Sequence, residues 1–171
     1  MKIKEIISEI ERIAPLQFQE SYDNAGLLVG DSQNSINAAL ISLDVTEQVV
    51  DEAINKNAGL IITHHPVIFK GLKKLTGQNY NERVVIKAIK NDIAIYASHT
   101  NLDSVFGGVN SKICEKLQLK NCKMLQTKAD ALRKLVVFVP NQQADNVRAA
   151  MFEAGAGHIG EYDCCSYNIE G

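Results

Sequence analysis

The 171-residue sequence has no tryptophan and no apolar stretch approaching the roughly 20 residues that a membrane-spanning helix needs. Its first residues, MKIKEIISEI, alternate charge with isoleucine and so lack the apolar block of a secretory signal peptide. Neither sign of charge is in large excess: 18 basic and 20 acidic residues give a formal net charge of −2, whereas a protein that binds nucleic acid mainly by electrostatics needs a basic face. The sequence therefore predicts a protein whose partner is neither a membrane nor a nucleic acid.

Cysteine is present, but not in a pattern that suggests disulfides or a zinc ribbon. The four cysteines show no CxxC spacing, and Cys164 and Cys165 are adjacent and so poorly placed to bridge each other. Reduced thiols and a cytoplasmic location are therefore expected. The content of 46% hydrophobic and 22% charged residues is that of an ordinary globular chain.

Helical and strand-like segments alternate along most of the chain. After an isoleucine-faced helix that Pro15 ends and a polar loop at Ser21–Asp31, apolar runs of strand length occur at Ala38–Leu43, Gly59–Thr63 and Ile93–Ala97. Each run is followed by a segment with helical periodicity, so we expect parallel strands joined by right-handed crossovers. Because the strands are almost continuously apolar, the sheet should be covered on both faces.

The pattern changes near the end of the chain. A strand is predicted at Leu132–Val139, a helix at Gln142–Ala154 and a further strand at Glu161–Ile169. The polar stretch around Gln126–Asp130, just before these segments, predicts a boundary between a first domain at residues 1–128 and a second at residues 132–171.

Polar residues follow each of the three predicted parallel strands. Asp44 follows the first, His64 and His65 follow the second, and His99 and Asp103 follow the third. Ligands bind outside the carboxyl ends of the strands in open parallel sheets. Since three of only four histidines fall there, this edge is the candidate functional site.

Imidazole and carboxylate are common ligands of zinc, iron and manganese. Consecutive residues of a strand point to opposite faces, so one ion could not easily take both His64 and His65 from an extended strand. At a strand end, two adjacent imidazoles could serve two neighbouring ions, with Asp103 as a bridge through its two oxygens. The alternative is that these histidines are structural or merely exposed.

Four segments in order make the sequence resemble a known family. They are DNAGLLVG (Asp23–Gly30), SLDVT (Ser42–Thr46), ITHHPVIFKGLK (Ile62–Lys73) and SHTNLDSVFGGVN (Ser98–Asn110). Together they resemble the NGG-interacting-factor-three-like family, whose bacterial members are often labelled GTP cyclohydrolase I type 2. The resemblance implies a three-layer α/β fold and a site that holds two divalent metal ions.

The same resemblance implies roles for individual residues. It makes His64 and His65 ligands of the two ions and Asp103 the bridging carboxylate, while His99 is expected either to support the ligands or to ligate weakly. Asp44 matches a family position near the site and is expected to make a polar contact there.

The resemblance leaves two readings for the DN pair. Asp23 and Asn24 either line the site's cavity or form a turn that holds the GLLVG loop.

One part of the family pattern is missing. The family completes its site with a histidine and a glutamate from an HxxxE-type motif near the C-terminus, and no such motif follows Asp103. His158 and Glu161 could substitute at i, i+3 spacing, but their segment resembles the start of an inserted ferredoxin-like α+β domain found in many bacterial members. The chain is accordingly expected to be an N-terminal fragment that ends inside this insert.

Two functions of different classes remain open. The first is a metal-dependent hydrolase acting on a nucleotide, either by GTP cyclohydrolase-type chemistry or by phosphoester hydrolysis; the second is a non-catalytic metal-carrying scaffold or regulatory binding protein. No P-loop is present, so phosphates would be met differently, for example by Lys70, Lys73 and Lys74, unless these lysines only solvate a loop. The resemblance also implies a homo-oligomer, with a hexamer expected for the full-length protein.

Overall fold

The computed structural model describes residues 1–124 and 134–169. The chain divides into two compact units, Met1–Met124 and Leu125–Gly171. The predicted boundary between residues 128 and 132 lies outside the described residues.

The first unit alternates helices and strands, as predicted. In chain order its elements are α1 (Ile3–Ile13), a 3-10 turn (Leu16–Phe18), β1 (Gly26–Val29), β2 (Ala39–Ser42), α2 (Glu47–Asn55), β3 (Leu60–Thr63), α3 (Tyr80–Lys90), β4 (Ala94–Ala97), α4 (Thr100–Asp103) and α5 (Val109–Lys116).

The strands form one four-stranded sheet in the order β1-β4-β3-β2. The three predicted strands pair in parallel, with Ile61 of β3 opposite Leu40 on one side and Ile95 on the other. The fourth, β1, pairs antiparallel with β4. The predicted polar loop at Ser21–Asp31 is wrong at this point, because Gly26–Val29 is a short apolar strand that joins an edge of the sheet.

Helices cover both faces of the sheet, which confirms the three-layer α/β fold. On one face α1 packs its isoleucines on Leu60, Ala94 and Tyr96. On the other face α2 and α3 pack on Ile61 and Ile95. Each fully buried aliphatic side chain of this kind contributes about 1.5–3 kcal/mol, so the two apolar layers fix the strand ends that carry the polar residues.

In the second unit, the predicted helix is confirmed as α6 (Ala144–Glu153), which a 3-10 turn at Asn141–Gln143 precedes. The predicted strands on either side are wrong for residues 134–139 and 161–169, where no strand forms. A strand needs a partner to satisfy its backbone groups, and the described part of this unit shows only one isolated bridge, between Ile159 and Tyr162.

Candidate metal centre

The parallel strands bring three polar loops to one edge of the sheet. Backbone pairing continues past the strand ends, since the N–H of His65 donates to the carbonyl of Leu43 (3.0 Å) and that of Ser98 to the carbonyl of Thr63 (2.9 Å). The Thr63 hydroxyl also donates to the Leu43 carbonyl (2.9 Å). The loops that carry the site therefore begin from hydrogen-bonded positions.

His64, His65 and His99 form a compact cluster at this edge. Their ring centroids are 5.0 Å (His64 to His65), 5.2 Å (His64 to His99) and 5.7 Å (His65 to His99) apart. Each ring offers one nitrogen such that the three ligand atoms lie within 4.8 Å of one another. Three imidazoles at this separation could hold a metal ion.

In each of the three imidazoles, Nδ1 is hydrogen-bonded to an oxygen that can only accept. The partners are the Ser98 carbonyl for His64 (2.9 Å), Asp44 Oδ1 for His65 (2.7 Å) and Asp23 Oδ1 for His99 (2.8 Å). Such a bond requires the proton to be on Nδ1, which leaves the Nε2 of a neutral ring with a free lone pair. Metal-ligating histidines show this arrangement, so the donors present fit a divalent metal.

Asp103, the last residue of α4, lies beside the cluster. Its Oδ2 is 3.8 Å from Nε2 of His64, and its side chain is about a third exposed. A carboxylate placed among imidazoles gives a mixed nitrogen and oxygen donor set, which suits zinc, iron and manganese.

Asp23 contacts the cluster from a distant part of the sequence. Its side chain has no exposed surface, and besides His99 it accepts hydrogen bonds from the backbone N–H of Thr100 (3.0 Å), the Thr100 hydroxyl and the N–H of Asn24 (2.7 Å). Burial by itself raises the pKa of Asp23, but the hydrogen bonds from Thr100, His99 and Asn24 outweigh it, so the pKa lies below its usual value. The group is therefore a carboxylate.

Asn24 contacts the other histidine-bearing loop. Its side-chain amide donates to the carbonyl of Ile68 (2.6 Å), which follows the HHP segment. The DN pair is therefore more than a local turn, because its two side chains contact the loops after β3 and after β4.

The aromatic ring of Phe69 borders the cluster and that of Tyr22 borders Phe69, and the sequence analysis singled out neither residue. The ring of Phe69 is 6.3 Å from that of His99, and the ring of Tyr22 is 6.4 Å from that of Phe69. Phe69 is 42% exposed and Tyr22 is 65% exposed. Phe69 could have been predicted to lie near the site, because it follows His65 by four residues on the same loop.

His158 lies in the second unit, where its Nδ1 is 3.2 Å from Oδ1 of Asp163. Within residues 1–124 and 134–169, the group of three metal-ligating side chains that forms is His64, His65 and His99, and it includes neither His158 nor Glu161.

Of the helices in the two described ranges, none combines the length and the apolar character that crossing a membrane requires.

Comparison with known proteins identifies related sequences over nearly the whole chain. A family described as Duf34/NIF3 (NGG1p interacting factor 3) matches residues 1–166. A protein of Bacillus subtilis (strain 168) named GTP cyclohydrolase 1 type 2 homolog is 44% identical over 98% of this chain and 45% of its own length. One of the same name from Halalkalibacterium halodurans is 45% identical over 97% of this chain and 45% of its length. The chain thus spans about half the length of the curated relatives it matches.

Solved structures show the same fold. A Bacillus cereus protein related to NIF3 has 46% identity and a TM-score of 0.74, covering all of this chain and 48% of that one. Reduced HcgD from Methanocaldococcus jannaschii has 37% identity and a TM-score of 0.65, covering 74% of this chain and 50% of that one.

Proposed function

The chain belongs to the Duf34/NIF3 family, and from that premise we propose that its histidine cluster is part of a centre for two divalent metal ions. His64 and His65 would each hold one of the two ions, and the Asp103 carboxylate would offer its two oxygens to both. Zinc, iron and manganese are the metals whose preferences match these donors.

The observation that carries this proposal is the hydrogen bonding and spacing of the three imidazoles. All three have Nδ1 occupied by an oxygen acceptor, and each offers one nitrogen within 4.8 Å of the others. With Nδ1 occupied in all three rings, the Nε2 atoms are the nitrogens left for a metal ion. The nearby Asp103 carboxylate supplies the negative charge that a divalent cation needs.

We further propose that the protein is a metal-dependent hydrolase acting on a nucleotide, by cyclohydrolase-type or phosphoester chemistry. Bound divalent metal ions would supply Lewis-acid polarisation of the reacting group and activation of water. The names of the relatives support a nucleotide substrate, because both are called homologs of a GTP cyclohydrolase.

Residues around the cluster suit such a substrate. Lys70, Lys73 and Lys74 are exposed on the loop that follows the HHP segment, where they would attract phosphate groups. Phe69 presents exposed ring surface beside His99, and Tyr22 presents exposed ring surface beside Phe69, so a nucleobase could stack there. Asp23 and Asp44 hold the Nδ1 protons of His99 and His65.

The assembly and location of the whole protein are part of the same proposal. We propose a cytoplasmic homo-hexamer, as the family resemblance implies. The exposed apolar side chains of Ile41 (78%), on the edge strand β2, and of Leu43 (62%), just after it, support association, because an exposed strand edge is stabilised when another polypeptide pairs with it.

The metal assignment is tested by elemental analysis of purified protein. His64→Ala, His65→Ala and Asp103→Ala should each lower the metal content per chain. His158→Ala is the matched control, since this exposed histidine lies in the second unit, and it should leave the content unchanged. An unchanged content in all three site variants would contradict the assignment.

The enzyme assignment is tested by turnover. Hydrolysis of GTP or of a phosphoester that disappears in the same three variants supports the hydrolase. Full metal occupancy without turnover across a broad set of nucleotides would instead support the non-catalytic scaffold.

A further inference from the structure

Asp23 is a buried carboxylate whose hydrogen bonds divide between its two oxygens. Oδ1 accepts from Nδ1 of His99 (2.8 Å) and from the N–H of Asn24 (2.7 Å). Oδ2 accepts from the backbone N–H (3.0 Å) and the hydroxyl of Thr100. Removing a charge from water is costly unless it is paired and hydrogen-bonded. These hydrogen bonds therefore offset the cost of burying Asp23, and most of them come from the segment just after β4.

The contact at Oδ1 determines the tautomer of the His99 ring. A carboxylate oxygen only accepts, so it holds the His99 proton on Nδ1 and leaves Nε2 unprotonated. The ring is also confined, because the rings of His64, His65 and Phe69 are its neighbours. The His99 side chain is only 18% exposed, so few other orientations are open to it.

We propose that Asp23 is a positioning residue that fixes the His99 ring with Nε2 free, so that His99 serves as the third imidazole ligand of the metal centre. This inference rests on the proposed function, which it deepens by assigning a ligand and the residue that orients it.

The equivalent contact on His65 is of a different kind. Asp44 and His65 are both about half exposed (58% and 48%), so water competes for each of them. Exposed charged pairs contribute little. Asp23 should therefore constrain its histidine much more strongly than Asp44 does.

A purely structural role for Asp23 is the competing explanation. Through Oδ2, Asp23 connects the loop before β1 to Thr100 at the start of α4, and the Thr100 hydroxyl also accepts from the N–H of Glu20 (2.9 Å). The two roles use different oxygens, so substitution can separate them. Thr100→Ala removes the hydroxyl contact at Oδ2 and leaves the contact with His99 in place.

The first test reads the tautomer directly, in the metal-free full chain. Long-range ¹H–¹⁵N NMR, at a pH where the imidazoles are neutral, should show the His99 proton on Nδ1 in the wild type. Asp23→Ala should transfer population to the Nε2–H form. Thr100→Ala and Asp44→Ala should leave His99 unchanged. A wild-type His99 protonated on Nε2 would overturn the proposal even if the Asp23 variant failed to fold.

The second test measures affinity for Zn²⁺ alone, by competition with a chromophoric chelator. Loss of a group that orients a metal-ligating histidine typically weakens binding by about 10–100-fold, and this loss is expected for Asp23→Ala. Thr100→Ala should bind Zn²⁺ as the wild type does, although its thermal midpoint falls. Equal weakening in the two variants would show that Asp23 acts only through the fold.

The two tests separate this inference from the proposed function. If the wild type binds no Zn²⁺, the metal centre itself is wrong, whatever the tautomer of His99. If the wild type binds Zn²⁺ and Asp23→Ala binds it equally well, the metal centre stands and the role given to Asp23 is wrong.

Discussion

Asn101 connects the metal-site edge to the first helix through a single fully buried side chain. Its Oδ1 accepts from the backbone N–H of His99 (2.9 Å), and its Nδ2 donates to the carbonyl of Ala14 (2.7 Å). Ala14 is the C-cap residue of α1, so the amide joins the backbone of a site histidine to the end of the first helix. A buried polar residue of this kind is stabilising only while both of its bonds are made.

We expect Asn101→Ala to destabilise the fold, because it leaves the His99 N–H and the Ala14 carbonyl without partners. Each buried unsatisfied group costs about 1–3 kcal/mol, and urea unfolding would measure the sum. Asn91→Ala is the matched control: its amide also bonds to a backbone carbonyl, that of Lys87, but at an exposed site. Equal loss of stability in the two variants would contradict the role given to Asn101.

At the residue scale, the sequence predicted the histidine cluster and a polar contact from Asp44, but not the contact between Asp23 and His99. His64, His65 and His99 could be grouped because each follows a parallel strand, and strand ends meet at one edge. The contact between Asp23 and His99 spans 76 positions and joins two irregular loops, so no periodicity reports it. The family resemblance gives His99 only a supporting or weakly ligating role, whereas in the structure its ring lies beside those of both other histidines.

At the scale of an element, Glu82 fixes the loop before α3 through several hydrogen bonds, as Asn101 fixes the site to the first helix. It lies in the first turn of α3 and accepts from the N–H and hydroxyl of Thr76 (both 2.9 Å), the N–H of Gln78 (3.1 Å) and the side-chain amide of Asn79 (2.7 Å). Asn79 in turn caps the helix by accepting from the Glu82 N–H (2.9 Å). The long connection after the HHP segment is thereby fixed to the start of α3.

These contacts make stability depend on pH in a predictable direction. Hydrogen bonds from Thr76 lower the pKa of Glu82 below its usual 4.5. The folded state therefore binds fewer protons here than the unfolded state, so Glu82 stabilises the fold above pH 4.5 and less as the pH falls. In urea unfolding, Glu82→Gln should be less stable than the wild type at neutral pH, and the difference should narrow on acidification.

Glu115→Gln provides the control for this prediction. Glu115 also has a lowered pKa, caused by its hydrogen bond to Lys112, but both side chains of that pair are about 70% exposed. Exposed pairs of this kind add little stability, so the control should show a much smaller pH-dependent difference. A Glu82→Gln difference that stays constant from neutral to acid pH would contradict the assignment.

At the element scale, prediction succeeded where a pattern was long enough. The helices α1, α2 and α3 and the parallel strands follow from the apolar pattern of the sequence, and Thr46 caps α2 by accepting from the Val49 N–H (3.1 Å). The strand β1 is as long as the other three strands, but it was missed because it lies inside the stretch predicted as a polar, glycine-containing loop. The helix α4 was missed because a single turn of four residues is too short to show periodicity. The strands predicted in the second unit failed for a different reason, since an apolar run forms a strand only where a partner exists.

At the scale of the whole molecule, the candidate metal residues all belong to one of the two units. The histidine cluster and the carboxylates that contact it lie between Asp23 and Asp103, within Met1–Met124. The second unit contributes a separate exposed pair, His158 with Asp163. The two units should therefore respond differently to metal.

We expect Zn²⁺ to stabilise the first unit selectively. A ligand that binds only the folded state at 100 times its dissociation constant adds about 2.7 kcal/mol, so amide hydrogen exchange in β3 and β4 should slow by up to about 100-fold where global unfolding governs exchange. Exchange in α6 should not change, because no candidate ligand lies on that helix. Slower exchange in α6 would contradict this expectation, and His158→Ala would then show whether the exposed histidine of the second unit binds Zn²⁺ by itself.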